Sequence, residues 1–200
     1  MQAPIIPDYE PERLISLYNL GLLDSQPEER FDRITRLAKS YFDFPIVLIS
    51  LVDKDRQWFK STIGIEATEL PRDTSFCGHA ILQEAVFRIP DARLDPRFAD
   101  NPFVVGAPHI RAYYGIPLRA PDGFRVGTLC LVDHKPRHLS DEQIDALRDM
   151  AKMVEDKLAL NNILRQAKLA EKRQRRLDAI LKTEMDAIVS IKADGTILGA

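Results

Sequence analysis

Two pairs of apolar segments, each pair joined by a short polar turn, constrain the fold of this chain most. The first pair is PIVLISLVD and RQWFKSTIG, which meet around Asp53-Lys54-Asp55, and the second is RAYYGIPLRA and FRVGTLCLVD, which meet around Pro121-Asp122-Gly123. Segments joined by such short turns pair as antiparallel hairpins. The run at residues 46–52 is apolar except for Ser50, which predicts a strand covered on both faces.

Helical patterns lie before, between and after these hairpins. The apolar residues that recur at helical spacing are Leu14, Leu17, Tyr18 and Leu22 in a first segment and Phe31, Ile34, Leu37, Ala38 and Tyr41 in a second. Hairpins alternating with helices favour an α+β fold with an antiparallel sheet over a doubly wound parallel one. Residues 1–9 are proline-rich, so we expect them to be flexible, and the irregular segment DARLDPRFADNPFVVGAPHI has the length of a binding loop.

Composition excludes several classes of protein. The chain has 28 Lys plus Arg and 30 Asp plus Glu, a formal charge of −2, which gives no reason to expect nucleic-acid binding. Its 2 cysteines form neither a C-x-x-C pair nor a disulfide framework, so a reducing compartment is expected. The N-terminal sequence lacks the basic and apolar regions of a signal peptide, and the longest apolar run is too short to span a bilayer. These features predict a cytoplasmic protein that does not enter the membrane.

The segment PRDTSFCGHAIL, residues 71–82, carries the most functional information. Asp73, Thr74 and Ser75 are good N-cap residues, so a helix should start here with Cys77 and His79 in its first turn. The exposed N–H groups at such a helix end favour an anionic or hydrogen-bond-accepting ligand.

A second pattern begins at Ser140, where Ser-Asp-Glu-Gln predicts a capping box and the start of a long helix. Its apolar residues are Ile144, Leu147, Ala151, Val154 and Leu158, followed after a polar stretch by Leu177, Leu181, Met185 and Ile188. This 3-4 spacing predicts a parallel homodimer through the helix from Ser140 to about Met185, joined by the helix around Leu14, Leu17 and Tyr18. The alternative is a terminal helix packed back on its own domain.

Six sequence blocks follow one another between about Pro11 and Lys157: NLGLLDSQPEERFDRITRLA, VLISLVDKDRQWFKSTIG, PRDTSFCGHAIL, DARLDPRFADNPFV, YYGIPLR and GTLCLVDHKPRHLSDEQIDAL. In this order they resemble the GAF domain family. The resemblance implies a six-stranded antiparallel sheet with helices on both faces, a small-molecule pocket on one face, dimerisation, and signalling through flanking helices.

The C-terminal stretch RLDAILKTEMDAIVSIKADGTI resembles the N-terminal cap and first hairpin of a PAS domain. The expected organisation is a flexible N-terminus at 1–9, a GAF domain at 10–157, a helical coiled-coil linker at 158–176, and the start of a PAS domain at 177–200. In such proteins this order usually precedes a diguanylate cyclase, phosphodiesterase or histidine kinase domain. Any catalytic domain would lie beyond this chain, so the chain itself is not expected to be an enzyme.

Three specific activities, namely methionine sulfoxide reduction, bilin attachment and zinc binding, fit the residues less well than reversible ligand binding. The GAF enzyme that reduces free methionine sulfoxide has its catalytic cysteine in the stretch that corresponds to residues 106–118, which contains none here, so a sulfenic acid cannot form there. Bilin attachment would need a cysteine that is replaced by Ser75. A zinc site from Cys77, His79, Cys130 and His134 is disfavoured because the C-x-H spacing points the two side chains to different sides of a helix.

Reversible binding of an unidentified small molecule remains. The candidate ligand-binding residues are Phe76, Cys77, His79, Arg111, Tyr113 and Trp58. Arg111 could pair with a phosphate or carboxylate, and Phe76 and Tyr113 could stack on a planar ring. Phe76, His79, Arg111 and Tyr113 are predicted to face one cavity between helix and sheet. The chain is thus expected to be a ligand-responsive sensor or, alternatively, a ligand-independent dimerisation and spacer module.

Overall fold

A computed structural model describes the backbone of residues 1–188 and the side chains of residues 1–181. The chain divides into two compact units, of which the first is Met1–Asn162 and the second begins at Ile163. The predicted strand and turn of a PAS domain extend past Ile188 and therefore lie outside the described residues. Among the described residues, no helix is long and apolar enough to cross a membrane.

The first unit is built on a six-stranded antiparallel sheet in the order β3-β2-β1-β6-β5-β4. The strands are β1 Ile46–Val52, β2 Arg56–Ile63, β3 Glu69–Pro71, β4 Phe87–Ile89, β5 Ala112–Arg119 and β6 Arg125–Asp133. The helices are α1 Glu10–Leu20, α2 Glu29–Phe42, α3 Phe76–Ala80, α4 Pro102–Val105 and α5 Asp141–Ile188, with short 3-10 turns at Arg72–Thr74 and Ala92–Leu94. Both predicted hairpins, β1–β2 and β5–β6, are confirmed, as is the α+β sheet.

Strand β1 lies at the centre of the sheet and is buried along its whole length. Val47, Ile49 and Leu51 belong to a core that also contains residues of α1, α2 and α5. Ile46, Leu48 and Val52 belong to a second core under α3. Because successive side chains of a strand point to opposite faces, a strand covered on both faces is apolar on both, and Ser50 is the one polar residue of β1.

Strand β2 contains a bulge near the segment that leads into α2. Ile49 pairs with Ser61 and Ser50 with Phe59, so Lys60 is the additional residue. The Lys60 ammonium is buried and is 2.6 Å from a Glu28 carboxylate oxygen. It also donates to the Gln26 carbonyl at 2.8 Å, which fixes the segment that leads into α2.

Helix α5 corrects the prediction for the dimer seam. Ile144, Leu147, Ala151, Val154 and Leu158 are at most 2% exposed and belong to the core that contains Leu17 and Phe31. This part of the predicted seam is therefore buried within one chain, as the alternative of a helix packed on its own domain required, whereas Leu177 and Leu181 farther along α5 are exposed. Leu17 is buried in the same way, but its neighbour Tyr18 is exposed.

The N-terminal residues, predicted to be flexible, make contacts with the rest of the first unit. The Gln2 amide donates to the Arg97 carbonyl at 3.1 Å, and Pro4 is buried. A Cβ atom built on Gly78 would be only 2.6 Å from the Pro4 ring. This segment therefore packs directly on α3 at a position where glycine permits the close approach.

Candidate functional site

A small, partly open cavity of about 40 Å³ lies between α3 and the sheet. It is lined by Leu48, Gln57, Leu70, Thr74, Ser75, Phe76, Cys77, Phe103, Ile110, Tyr113, Cys130 and Val132. Of the six predicted site residues, the structure brings Phe76, Cys77 and Tyr113 together around it. Their binding of a ligand stays a prediction, because only their placement is observed.

Ser75 starts α3 and also shapes the cavity wall. Its Oγ accepts a hydrogen bond from the Gly78 amide at 3.0 Å and donates to the Gln57 side-chain oxygen. The predicted helix start is thus placed at Ser75. However, α3 has only 5 residues, and the Gly78 amide is already bonded, so the anion preference expected for this helix end is not supported.

Cys77 lies among three hydrogen-bonding groups at the bottom of the cavity. Its sulfur accepts from the Tyr113 hydroxyl at 3.2 Å and from the Thr128 hydroxyl at 3.1 Å, and it is 3.8 Å from the Cys130 sulfur. Burial raises the pKa of the Cys77 thiol, but the hydrogen bonds from Cys130, Thr128 and Tyr113 outweigh burial and lower that pKa to about 7. Burial raises the pKa of Cys130, as does the neighbouring Cys77.

The aromatic rings predicted to stack on a ligand stack on one another instead. The Phe76 and Phe98 rings are 4.1 Å apart and nearly parallel, and Phe76 and Tyr113 are 5.3 Å apart. Phe98 was not predicted as a site residue, and the sequence signals it only as an apolar residue in a long irregular segment. The stack fills the space that a planar ligand would need.

His79 does not line the cavity. Its Nε2 is 3.0 Å from the Gln2 carbonyl oxygen, and its ring packs edge-on to Phe98. Burial lowers the pKa of His79, and the nearby Arg97 lowers it further. The ring is therefore neutral at pH 7, where Nε2 can donate to the carbonyl.

Arg111 does not line the cavity either. Its guanidinium donates to the Val104 carbonyl at 2.8 Å and to the Ile110 carbonyl at 3.0 Å. These bonds hold the segment that contains α4 against the start of β5. The observed role of Arg111 is thus to brace the cavity wall.

The structure places the side chain of Trp58 away from the cavity. Its side chain belongs to the core on the opposite face of the sheet, with Leu17 and Phe31. Strand alternation points its neighbour Gln57 into the cavity. In the sequence, Gln57 could have been recognised as a polar residue next to an apolar tryptophan in a strand. Which of the two side chains faces the cavity is shown only by the tertiary structure.

A buried ionic cluster joins α1 to the residues before α3. The Arg72 guanidinium is 2.5 Å from a Glu10 carboxylate oxygen, and Arg13 donates to both oxygens of the same carboxylate. Burial raises the pKa of Glu10, but the hydrogen bonds from Arg13 and Arg72 outweigh burial and lower it. Arg72 also donates to the carbonyls of the β1–β2 turn, at Asp53 and Lys54.

The groups considered for zinc are not gathered in one place. His134 is exposed, with Nδ1 2.6 Å from the Pro108 carbonyl oxygen, whereas Cys77 and Cys130 are buried together. In the part of the chain that the structure describes, no group of three or more His, Cys, Asp or Glu side chains is arranged to hold a metal ion.

Two larger concavities lie at the surface. One of about 500 Å³ is lined mainly by charged and polar residues around Lys39 and His134, and one of about 400 Å³ lies between the N-terminal segment and Asp73. Both are open to solvent. Neither contains any of the six predicted site residues.

Comparison with known proteins agrees with this fold. The chain is 44% identical over 155 residues to the cyclic di-GMP phosphodiesterase PA2567 of Pseudomonas aeruginosa, and the match covers 77% of this chain but only 26% of that protein. Free methionine-R-sulfoxide reductase from Neisseria meningitidis superimposes with a TM-score of 0.55 at 18% identity, covering 84% of this chain and 98% of that one.

A GAF domain of the Acinetobacter phosphoenolpyruvate-protein phosphotransferase gives a TM-score of 0.55 at 15% identity, covering 76% of this chain and 94% of that one. These two structural likenesses show the fold alone. The family model described as "GAF domain" matches residues 26–158. The chain therefore belongs to the GAF domain family.

Proposed function

We propose that this chain is the sensory module of a bacterial signalling protein, in which a small molecule bound beside α3 changes the state of α5. The observation that carries this proposal is the composition of the core of the first unit. α5 contributes Ile144, Leu147 and Val154 to the same core as the central strands, and it is a single helix from Asp141 to Ile188. A displacement of the sheet must therefore be accommodated by α5, because packed cores do not deform continuously.

The cavity chemistry defines the ligand class. Gln57, Ser75 and Cys77 provide hydrogen-bonding groups, and Leu48, Val132 and Ile110 provide apolar wall. A volume of about 40 Å³ accommodates one or two water molecules or a comparably small solute. A ligand with a ring would have to displace the Phe76–Phe98 stack, which would transmit its binding to α3 directly.

A thermal-shift screen of small polar molecules tests ligand binding. A molecule that binds only the folded state raises the melting temperature as its concentration rises. Ile110→Phe fills the cavity and should abolish the shift. Leu14→Phe, at a partly buried position on the opposite face of the sheet, is the matched control and should keep it. A shift that survives Ile110→Phe would place the binding site elsewhere.

Homodimerisation remains part of the proposal, through residues of α5 that lie beyond the buried part of the predicted seam. Leu160 is exposed in the first unit, and in the second Ile163, Leu164, Leu177 and Ile180 are exposed. Leu160, Ile163 and Leu164 recur at spacings of three and four residues, and Leu177 and Ile180 at a spacing of three, so each group lies on one side of α5. A second copy of the same helix is the partner that such a stripe fits most simply.

Sedimentation equilibrium tests this assembly. Leu160→Lys combined with Ile163→Lys should convert dimers into folded monomers, because both side chains are already exposed. Arg165→Glu combined with Lys172→Glu, at exposed positions on the other side of α5, should leave dimers intact. An unmodified chain that is monomeric at high micromolar concentration would contradict the proposal.

We also propose that the signal reaches a catalytic output domain. The chain spans about a quarter of the length of the phosphodiesterase that it resembles, so the remainder of that protein has room for one. A phosphodiesterase, a diguanylate cyclase or a histidine kinase domain would suit this role. Activity of the full-length protein, with and without a ligand found in the thermal screen, tests the coupling.

One observation favours a second candidate, a ligand-independent spacer module. The stacked rings of Phe76, Phe98 and Tyr113 already fill most of the region below α3. A chain that dimerises, but shows no thermal shift with any small molecule, would support the spacer over the sensor.

A further inference from the structure

The two cysteines of the chain meet at the cavity, although 53 residues separate them in sequence. Cys77 lies on α3 and Cys130 on the central strand β6. Their sulfur atoms are 3.8 Å apart, and both residues are almost completely buried. A disulfide needs an S–S distance of ~2.05 Å, so a relative movement of about 2 Å would bring the sulfurs into bonding distance.

The surroundings make the two sulfurs chemically unequal. Cys77 accepts hydrogen bonds from the Tyr113 and Thr128 hydroxyls, and these bonds stabilise its thiolate. These hydrogen bonds lower the pKa of Cys77, so Cys77 ionises more readily than Cys130. Burial and the adjacent Cys77 raise the pKa of Cys130, so Cys130 remains a protonated thiol. An attacking thiolate thus lies next to a thiol that can resolve its oxidised form.

The cavity determines which oxidant fits. Both cysteines line its wall, and its volume is about 40 Å³. That volume accepts a molecule little larger than water, such as hydrogen peroxide, but excludes a peptide disulfide such as oxidised glutathione. The narrow cavity therefore selects a small hydroperoxide.

We propose that Cys77 and Cys130 form a reversible intramolecular disulfide when hydrogen peroxide enters the cavity. The Cys77 thiolate attacks one peroxide oxygen, the O–O bond breaks, and the departing hydroxide takes up a proton as water, leaving Cys77 as a sulfenic acid. The Cys130 sulfur then attacks the sulfenic sulfur, and the S–S bond forms as the S–O bond breaks. The leaving hydroxide takes the Cys130 proton as a second water. Two thiols are oxidised by two electrons, and one peroxide is reduced to two waters.

This modification does not require the ligand proposed above. Closing the S–S bond would draw α3 toward β6 and remove the thiolate that the Tyr113 and Thr128 hydroxyls now contact. The helix that forms the roof of the cavity would become covalently tied to the centre of the sheet.

Mass spectrometry of the reduced chain treated with hydrogen peroxide tests the proposal. After acid quenching, denaturation and alkylation, the folded chain should show loss of both free thiols, and peptide mapping should identify Cys77 linked to Cys130 within one chain. Dithiothreitol should restore both thiols. Folded chain that keeps both thiols, while chain unfolded in guanidinium loses them under the same treatment, would overturn the proposal, and so would disulfides formed between chains.

Two variants separate the roles of the sulfurs. Cys130→Ser should stop at Cys77 sulfenic acid, which dimedone labels, whereas Cys77→Ser should leave Cys130 unmodified. Tyr113→Phe keeps the ring stack and removes one hydrogen bond to Cys77, so the pH profile of peroxide oxidation should move to higher pH. An unchanged profile in Tyr113→Phe would contradict the role assigned to its hydroxyl.

Discussion

At the scale of single residues, the most consequential charges are those that the fold buries. Glu10 lies between Arg13 and Arg72, and all three are at most 7% exposed. Removing one partner of such a cluster leaves uncompensated buried charge, which is far more costly than the loss of a surface ion pair.

Glu10→Gln should therefore lower the free energy of unfolding by about 3–5 kcal/mol. The exposed pair Arg175–Glu171, whose atoms are 2.5 Å apart, provides the control, and Glu171→Gln should cost less than ~0.5 kcal/mol. Urea denaturation measures both values. Equal effects of the two substitutions would show that the buried cluster contributes no more than a surface pair.

His79 predicts a specific dependence of stability on pH. Its pKa is lowered in the folded chain, so the unfolded chain takes up a proton first as the pH falls. The stability that neutral His79 contributes is complete above its unfolded pKa of about 6.5 and is lost as the pH falls through the folded pKa. Arg97 and Asp95 act on the ring in opposite directions, and burial dominates both.

Urea titrations between pH 7.5 and 5 should show this loss in the unmodified chain. His79→Gln should flatten the profile in that range, because glutamine does not titrate. The carboxyl groups with lowered pKa values, such as Glu10 and Asp95, lose their contributions only at more acidic pH. A slope that persists in His79→Gln would assign the pH dependence to another group.

At the scale of elements, α5 shows that the period of an apolar stripe does not identify what the stripe packs against. Its residues 144–158 have the 3-4 spacing of an intermolecular seam, yet they pack in the core of their own domain. An apolar stripe specifies that a surface is buried, but it does not specify by which chain. The exposed residues farther along α5 are the ones that a partner could reach.

Leu147→Ala should consequently lower the free energy of unfolding of the domain, and should not act only by separating dimers. Truncating a fully buried leucine costs about 2–5 kcal/mol, and Leu147 is 0% exposed. Leu160→Ala, at a residue 47% exposed, should leave the melting temperature of the domain nearly unchanged. If Leu147→Ala dissociates dimers without lowering stability, the packing of α5 on its own sheet is incorrect.

At the scale of the whole molecule, the fold is shared with free methionine-R-sulfoxide reductases, but the residues differ. Residues 106–118 contain no cysteine, and the two cysteines present are buried together beneath α3. A shared fold does not imply a shared activity, since chemistry depends on the residues placed on that fold.

We therefore expect no turnover of free methionine sulfoxide by this chain, even with dithiothreitol as reductant. Methionine formation can be followed by chromatography, with a reductase of known activity as the positive control. Turnover that disappears in Cys77→Ser would contradict this expectation and would make the Cys77–Cys130 pair catalytic.

The sequence by itself determined the sheet, its two hairpins and the helical segments around it. Strand alternation, turn residues and helical spacing are local patterns, and each follows from the geometry of a few neighbouring residues. The order of six sequence blocks was enough to indicate the family. The resemblance also supplied the candidate site residues, of which Phe76, Cys77 and Tyr113 line the cavity.

The tertiary structure decided which surfaces meet. It placed Trp58 on the far face and Gln57 in the cavity, because a strand presents adjacent residues to opposite sides and sequence does not reveal which layer covers each side. It turned His79 toward the N-terminal segment, paired Arg72 with Glu10, and brought Cys77 to Cys130. These contacts join residues far apart in the chain, so no local pattern encodes them, and they appear only when the helices are packed on the sheet.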